Sequence, residues 1–386
     1  MLDKDIPKDM RFLVVDDQFN VRRMVANFLR SFGFKHIEDA SDGDLALDKL
    51  KTRRVDFVVC DWNMPNMTGY ELLAKMREDP LLRKIPFLMV TAEVSEDIVA
   101  EAIEGAVDGY ILKPFKGQTL YDKIKQILEK AANPDPVDQA LMKAQDYFDE
   151  GKLTEAKKIY EKVLEKTPKS PRTLMAISQV LDAEGKSEEA VAYLKKAVTL
   201  SPKFIKAHDQ LAGMLKKSGK PEEAVEHMRI ATQISPRNAK RQLVLGKELV
   251  SQGRQDEALA ALNWAQEFAG DDADTVTEVG EVLLAAGMHD EAAEAFTVAV
   301  GIDPSKVHIY NRLGIAYRRK KDFGKAADQY RVALGISPKD ENLYFNLAVA
   351  LAEWGKRPDS REALRKALEL KPDFVEAKKL LDRLNK

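Results

Sequence analysis

The stretch FVVCDWNMPNM, from Phe57 to Met67, decides the fold of the first third of the chain. Its first four residues are apolar, which is typical of a strand that is buried on both faces of a parallel sheet. The runs Phe12–Val15 and Phe87–Val90 have the same character. Amphipathic stretches lie between these runs. The alternation therefore predicts an open, doubly wound α/β domain whose chemistry lies at the carboxyl ends of its strands.

Weaker patterns complete this first domain. Short strands are expected near Lys35–Ala40 and Gly109–Leu112. Helical patterns occur at five places: Val21–Phe32, Asp44–Lys51, Gly69–Arg77, Glu96–Glu104 and Gly117–Lys130. Each strand is thus followed by a helix, which gives five βα units within residues 1–132.

Polar side chains follow the strands at the points where the strands end. They are Asp16 and Asp17 after the first strand, Asp61 after the third, Thr91 after the fourth and Lys113 after the fifth. Because the carboxyl ends of parallel strands meet at one edge of the sheet, we expect these groups to form one pocket. Three carboxylates repel one another unless a hard cation lies among them, and Mg²⁺ prefers such oxygen ligands. A carboxylate can also be the nucleophile in phosphoryl transfer, which a metal ion and a lysine would assist.

Residues 10–130 resemble the receiver domain of two-component response regulators, above all the CheY-like receivers of chemotaxis. The motifs that carry this resemblance are Val14–Asp17, Cys60–Met67, Met89–Glu93 and Gly109–Phe115. The resemblance implies a flavodoxin-like, five-stranded parallel sheet with the strand order 2-1-3-4-5.

The resemblance also implies a role for each pocket residue. Asp61 is expected to be the phosphoacceptor. Asp17 and Asp61, together with the main-chain carbonyl of Asn63, are expected to bind Mg²⁺ directly, and Asp16 is expected to bind it through water. Lys113 is expected to pair with the phosphoryl group.

Two further residues of the resemblance form an expected switch. Thr91 is expected to move and hydrogen-bond the phosphoryl group, and Tyr110 is expected to swing inward behind it. This movement would alter the face formed by the last strand and the helices on either side of it. Asn63 and Glu93 occupy the two positions that tune dephosphorylation in the family. Both match the chemotaxis type, which implies a short-lived phosphoryl state.

The rest of the chain is helical and repeats every 34 residues. Prolines recur at positions 168, 202, 236, 304, 338 and 372, and Gly270 keeps the register at the one gap. Twelve residues before each of these positions stands a small residue: Ala156, Ala190, Ala224, Ala258, Ala292, Ala326 and Ser360. Four residues further on stands a large apolar one: Tyr160, Leu194, Met228, Leu262, Phe296, Tyr330 and Leu364. A small residue followed by a large one lets two antiparallel helices approach closely and fills the remaining gap.

This pattern resembles the tetratricopeptide repeat, a 34-residue helix–turn–helix unit with small, aromatic and proline markers. Seven repeats fit, starting at Val137, Pro171, Ile205, Ala239, Ala273, Val307 and Glu341. Glycine stands at the turn within each repeat except at Lys321. We therefore predict an all-α tetratricopeptide solenoid over residues 137–374 and a C-terminal capping helix over residues 375–386. Residues 133–136 form a short, stiff, proline-rich joint after the first domain.

The concave groove of such a solenoid is a candidate binding surface. Its expected inward positions carry basic or amide side chains: Arg172, Lys206, Lys240, Lys247, Asn311 and Arg312. Repeat 5 is acidic at the same places, with Asp274, Glu278 and Glu281. A basic groove favours acidic peptides or chain-terminal carboxylates. The alternative interpretation is that these charges form solvated helix faces.

Composition limits the range of functions. The 386 residues carry a net charge of −2, a balance that argues against binding DNA or RNA. Cys60 is the only cysteine, so no intramolecular disulfide can form. The N-terminal segment lacks the pattern of a signal peptide, and no apolar run is long enough for a membrane span. We therefore expect a cytoplasmic protein.

The leading interpretation is a response regulator that receives a phosphoryl group on Asp61 from a sensor histidine kinase. Its repeats would bind a downstream protein or peptide, and no enzymatic activity is expected beyond phosphorylation and dephosphorylation of Asp61. The alternative is a phosphorylation-independent scaffold that uses the receiver as a docking module. A phosphatase is disfavoured because such enzymes have a second aspartate where this chain has Asn63. Homodimer formation and the sign of regulation stay open.

Overall fold

Strand β3, Phe57–Asp61, lies at the centre of a five-stranded parallel sheet. The fold is that of a computed structural model, which describes residues 6–62, 64, 67–92, 107–133, 135–236 and 238–385. The other strands are β1 (Arg11–Val15), β2 (His36–Ala40), β4 (Phe87–Thr91) and β5 (Gly109–Leu112). The strand order β2-β1-β3-β4-β5 confirms the predicted order 2-1-3-4-5.

Helices cover both faces of this sheet, as expected for a doubly wound fold. They are α1 (Phe19–Ser31), α2 (Gly43–Thr52), α3 (Gly69–Glu78) and α4 (Gly117–Ala132). Side chains of α1 and α4 pack in one apolar layer with Phe57 and Val59, and those of α2 and α3 pack in the other layer with Val58 and Cys60. Burial on both faces explains why β3 is apolar along its length. The helix predicted at Glu96–Glu104 lies outside the described residues.

The chain divides into two compact units, residues 1–236 and residues 237–386. The first unit contains the sheet and six further helices: α5 (Pro136–Asp149), α6 (Leu153–Lys166), α7 (Pro171–Ala183), α8 (Ser187–Leu200), α9 (Ile205–Lys217) and α10 (Pro221–Ile234). The described part of the second unit contains α11 (Ala239–Ser251), α12 (Gln255–Phe268), α13 (Ala273–Ala285), α14 (His289–Ile302), α15 (Val307–Arg319), α16 (Phe323–Ile336), α17 (Glu341–Glu353), α18 (Arg357–Leu370) and α19 (Val375–Asn385). The first unit thus extends beyond the proline-rich joint.

The turn within each repeat places one residue in the left-handed backbone region. Glycine fills this position in repeats 1–5 and 7. In repeat 6 Lys321 fills it, with a φ of 64°. The small and large residues of the repeat pattern are buried, as in the fully buried pair Ala292 and Phe296. Ser360 is also fully buried, and its hydroxyl donates to the carbonyl of Ala348 at 2.7 Å, which satisfies the polar group that replaces alanine there.

One packing rule of the repeats was missed from the sequence. The first helices of repeats 4, 5 and 6 carry a small residue that faces the large residue of the second helix. In repeats 4, 5 and 6 this residue is glycine, and a Cβ added to Gly246, Gly280 or Gly314 would lie within 2.7 Å of the facing side chain. The sequence does contain this pattern, since small residues recur every 34 residues in the first helices, at Ala144, Ser178, Ala212, Gly246, Gly280, Gly314 and Ala348.

Candidate functional site

Three aspartates meet at the carboxyl edge of the sheet. Asp16 and Asp17 follow β1 directly, and Asp61 is the last residue of β3. Their carboxylates each offer an oxygen atom, and these three atoms lie within 4.8 Å of one another. Asp16 is 3% exposed and Asp61 is 8% exposed, whereas Asp17 faces solvent. The structure therefore brings together the acidic residues that the sequence predicted to share a pocket.

Lys113 neutralises part of this acidic cluster. Its Nζ lies 2.8 Å from Oδ2 of Asp16 and 2.8 Å from Oδ1 of Asp61. Burial raises the pKa of Asp61, with a further contribution from the charge of Asp16, although Lys113 opposes both. Burial alone would lower the pKa of Lys113, but its contacts with the two aspartates outweigh this effect and raise it. Lys113 is consequently a fixed cation beside Asp61.

The backbone of Lys113 is hydrogen-bonded to the neighbouring strand. The peptide bond between Lys113 and Pro114 is cis. The N–H of Lys113 donates to the carbonyl of Thr91 at 2.7 Å, which ties the end of β5 to the end of β4. Thr91 is 3% exposed, and the carboxyl ends of β3 and β4 lie side by side in the sheet. The pocket therefore contains the predicted threonine as well as the predicted lysine.

Arg22 braces the acidic loop, and sequence reasoning did not identify it. Its Nη1 donates to the carbonyls of Asp16 at 2.7 Å and Asp17 at 3.1 Å, and its Nε donates to Oδ2 of Asp39 at 2.8 Å. The N–H of Gln18 also donates to Oδ1 of Asp16 at 2.9 Å. These bonds hold the main chain of Asp16 and Asp17 and the carboxylate of Asp16 in place. A basic residue one helical turn into α1 is too common a pattern to reveal this role.

Gly69 is a second missed residue. It begins α3, and a Cβ added to it would lie 2.0 Å from the carbonyl oxygen of Asp61. Its N–H donates to the carbonyl of Trp62 at 3.0 Å. Only glycine allows the chain to return this closely to the phosphoacceptor candidate. Cys60 beside it is fully buried, and burial raises the pKa of its thiol.

The predicted switch residues differ in their exposure. Thr91 is buried, whereas Tyr110 on β5 is 49% exposed and lies beneath Lys123, with 6.0 Å from Nζ to the ring centroid. The Tyr110 ring is therefore half exposed, whereas Thr91 is buried. Asn63 and Glu93, the two positions predicted to tune dephosphorylation, lie outside the described residues.

The predicted groove residues do not share one environment. Arg172 and Lys206 lie in the first compact unit, and the other four lie in the second. Within the second unit, Lys247 pairs with Glu278, Arg312 Nε lies 2.5 Å from Oε1 of Glu281, and Asn346 donates to Asn311 at 2.9 Å. Lys306 also lies 2.5 Å from Asp274. Glu278 and Glu281 of repeat 5 thus pair with cations of repeats 4 and 6, and Asp274 pairs with Lys306 at the end of repeat 5.

The parallel sheet and its pocket of carboxylates and one lysine define a receiver-type α/β domain. A family model for the response regulator receiver domain matches residues 12–125, and models for the tetratricopeptide repeat match residues 141–203, 243–307, 280–341 and 341–374. The chain is 46% identical over 121 residues to a chemotaxis protein CheY of Pseudomonas aeruginosa. The aligned region covers 31% of this chain and 98% of that protein. It is 46% identical over 123 residues to CheY-3 of Vibrio cholerae, which covers 32% of this chain and 95% of that protein. The chain belongs to the response regulator receiver family, and its receiver domain is followed by tetratricopeptide repeats.

A solved structure supports the fold of the repeats. The C-terminal part of a tetratricopeptide repeat-containing protein from Cytophaga hutchinsonii is similar with a TM-score of 0.50 and 15% identity, over 62% of this chain and 98% of that chain. Among the helices of the described residues, none combines the length and the apolar character that a membrane span requires.

Proposed function

We propose that this chain is a two-component response regulator whose Asp61 accepts a phosphoryl group from a histidine kinase. The observation that carries the proposal is the position of Asp61, whose carboxylate contacts the Lys113 ammonium and lies close to two further carboxylates at the edge of the sheet. A carboxylate oxygen is a competent nucleophile for a phosphoryl group, and most of the catalysis then consists of positioning and charge neutralisation.

The donor set of the pocket fits Mg²⁺. Asp17 and Asp61 would hold the ion directly, with Asp16 through water and the carbonyl of Asn63 as a further ligand. Three carboxylates with oxygens within 4.8 Å, one of them facing solvent, provide oxygen ligands and leave room for waters. When bound, Mg²⁺ neutralises negative charge on the phosphoryl oxygens. Lys113 would hold one of those oxygens, because its raised pKa keeps it protonated at neutral pH.

The two switch residues would read the modification. Phosphorylation adds roughly −1.5 to −2 charges and new acceptor oxygens beside Thr91. Thr91 would donate its hydroxyl to one of them, and Tyr110 would move inward into the space that Thr91 leaves. The exposed ring of Tyr110 is the form expected before this movement.

The repeats would be the output of the protein. We propose a receiver over residues 1–132, a joint over residues 133–136, seven repeats over residues 137–374 and a capping helix over residues 375–386. Tetratricopeptide repeats offer extended surfaces for protein or peptide ligands, and no enzymatic activity is proposed beyond turnover of the phosphoryl group on Asp61. A kinase partner of this type places the chain in the cytoplasm.

The direct test is the intact mass of the chain after incubation with Mg²⁺ and a small-molecule phosphodonor, sampled within seconds. The wild type and Asp48→Asn, which removes an exposed carboxylate of α2, should each gain one phosphoryl group. Asp61→Asn should gain none. An adduct on Asp61→Asn, or no adduct on the wild type, would contradict the proposal. If the wild type gains no adduct and beryllofluoride also leaves the fluorescence of Trp62 unchanged, the phosphorylation-independent scaffold would be favoured.

A second test measures Mg²⁺ binding without phosphorylation. A ligand that binds only the folded state at 100 times its dissociation constant raises the free energy of unfolding by about 2.7 kcal/mol. We expect Mg²⁺ to stabilise the wild type and Asp48→Asn, and to lose this effect in Asp17→Asn. Equal stabilisation of all three proteins would remove Asp17 from the metal site.

A further inference from the structure

The segment between α3 and β4 contacts the first helix of the repeats. Arg83 in this segment donates from Nη2 to Oδ1 of Asp146 at 2.9 Å and from Nη1 to Oδ2 of Asp149. Lys84 adds a longer contact, 3.8 Å from its Nζ to Oδ1 of Asp146. Asp146 and Asp149 lie one turn apart on α5, so both face the same guanidinium group. We call Arg83, Asp146 and Asp149 the latch.

The latch rests on a rigid support inside the receiver. Arg77 of α3 donates from Nη1 to the carbonyls of Arg83 at 3.0 Å and Ile85 at 3.1 Å. Its Nη2 donates to Oδ2 of Asp108 at 2.8 Å, and the same oxygen accepts the N–H of Phe87 at 2.7 Å. Arg77 therefore connects the segment between α3 and β4 to Asp108, the residue before β5. Through Asp108 it also connects this segment to Phe87, the first residue of β4.

These two strands are the ones that carry the predicted switch. β4 begins at Phe87 and ends at Thr91, and β5 contains Tyr110 two residues after Asp108. A strand of five residues spans roughly 16 Å, so the latch support and the pocket lie at opposite ends of the same two strands. A shift of β4 or β5 at the pocket end therefore reaches Arg77 through covalent structure and two hydrogen bonds. The latch is closed while Tyr110 is 49% exposed.

We propose that the latch holds the first repeat against the receiver before phosphorylation, and that activation at Asp61 releases it. The release step rests on the proposed function, whereas the closed latch rests on the contacts alone. The ion pairs are well suited to a reversible contact, because partly exposed pairs are individually weak and depend on geometry. A displacement of Arg83 would weaken both bonds together, since one guanidinium group must meet two carboxylates at once.

Hydrogen exchange of the full chain tests the closed latch. We expect Arg83→Glu to speed exchange in the peptide that covers α5 several-fold, because the repulsion with Asp146 and Asp149 opens the contact. Arg23→Glu is the matched control, since Arg23 is exposed on α1 and outside the latch. Adding Asp146→Arg and Asp149→Arg to Arg83→Glu should restore slow exchange with reversed charges. If Arg83→Glu exchanges like Arg23→Glu, the latch is overturned.

Activation tests the release. Mg²⁺ with beryllofluoride should raise exchange in α5 of the wild type to the level of Arg83→Glu, and should not raise it further in Arg83→Glu. By linkage, opening the latch should also tighten beryllofluoride binding about fivefold or more, because a coupling between two sites acts equally in both directions. The release is overturned if the wild type forms the phosphoryl adduct, beryllofluoride leaves the exchange of its α5 unchanged, and the wild type and Arg83→Glu bind beryllofluoride with equal affinity. A chain without any adduct overturns the proposed function and the release together, while the exchange of Arg83→Glu still decides the latch.

Discussion

Gly280 offers a test of the packing that holds the repeats together. It lies in α13, and a Cβ added to it would lie 2.7 Å from Cε1, 2.8 Å from Cδ1 and 2.9 Å from Cζ of Phe296. Phe296 is fully buried in α14, so its ring has no open space into which it could withdraw. The change Gly280→Ala therefore forces either the ring or one of the two helices to move.

The expected magnitude follows from two opposing effects. Alanine is about 1 kcal/mol more favourable than glycine in a helix interior. Overpacking a buried site costs about 1–3 kcal/mol. Gly301→Ala in α14 is the matched control, because a Cβ added to Gly301 would meet nothing within 4 Å. The helix propensity gain is smaller for Gly301→Ala, because Gly301 lies one residue before the end of α14, so Gly280→Ala should be less stable than Gly301→Ala by up to about 3 kcal/mol.

Urea unfolding of the full chain, followed by far-ultraviolet circular dichroism, measures this difference. The slope of the unfolding free energy with urea should be the same in both variants, so that a shift in midpoint reports stability alone. A midpoint for Gly280→Ala equal to or above that of Gly301→Ala would refute the reasoning, because it would show that the two helices can separate at no cost.

Two further predictions concern buried polar groups. Tyr330→Phe should stabilise the second unit by about 1 kcal/mol, because its buried hydroxyl has no hydrogen-bond partner among the residues that the structure describes. Tyr160→Phe loses a hydrogen bond and should destabilise the first unit by a similar amount in the same urea assay. Burial lowers the pKa values of His208 and His227, so the unfolded chain binds more protons than the folded chain below about pH 6.5. The unfolding free energy should therefore fall on acidification by up to about 1.4 kcal/mol per pH unit for each proton. If the double variant His208→Asn, His227→Asn shows the same slope of unfolding free energy against pH as the wild type, this prediction is wrong.

The positions of the pocket residues could be predicted because topology alone brings them together. Asp61 and Thr91 end their strands and Lys113 follows its strand, and parallel strands in a doubly wound sheet end at one edge. The roles of Arg22 and Gly69 could not be predicted in this way. Arg22 acts through the direction of a long side chain, and Gly69 through the close return of the chain to Asp61. Neither property leaves a pattern in a single sequence.

The repeats show a different limit. Their 34-residue period predicted the small and large residues of the second helices, because residues of the same size class recur at each position. The facing position of the first helix alternates among alanine, serine and glycine, so it is recognisable only once the contact between Gly280 and Phe296 shows which positions face each other. The latch was also not predicted. Arg83 and Asp146 are 63 residues apart, and nothing in the pattern of either segment indicates that they meet.

The charges of the second unit bear on the kind of ligand that its repeats can take. Lys247, Arg312 and Lys306 each pair with a carboxylate of repeat 5. An acidic peptide at these positions would have to replace an intramolecular carboxylate, so each new ion pair would be formed at the loss of an existing one. The net electrostatic gain is therefore small. Because these three cations are already paired, we expect them to bind an acidic ligand more weakly than three unpaired cations would.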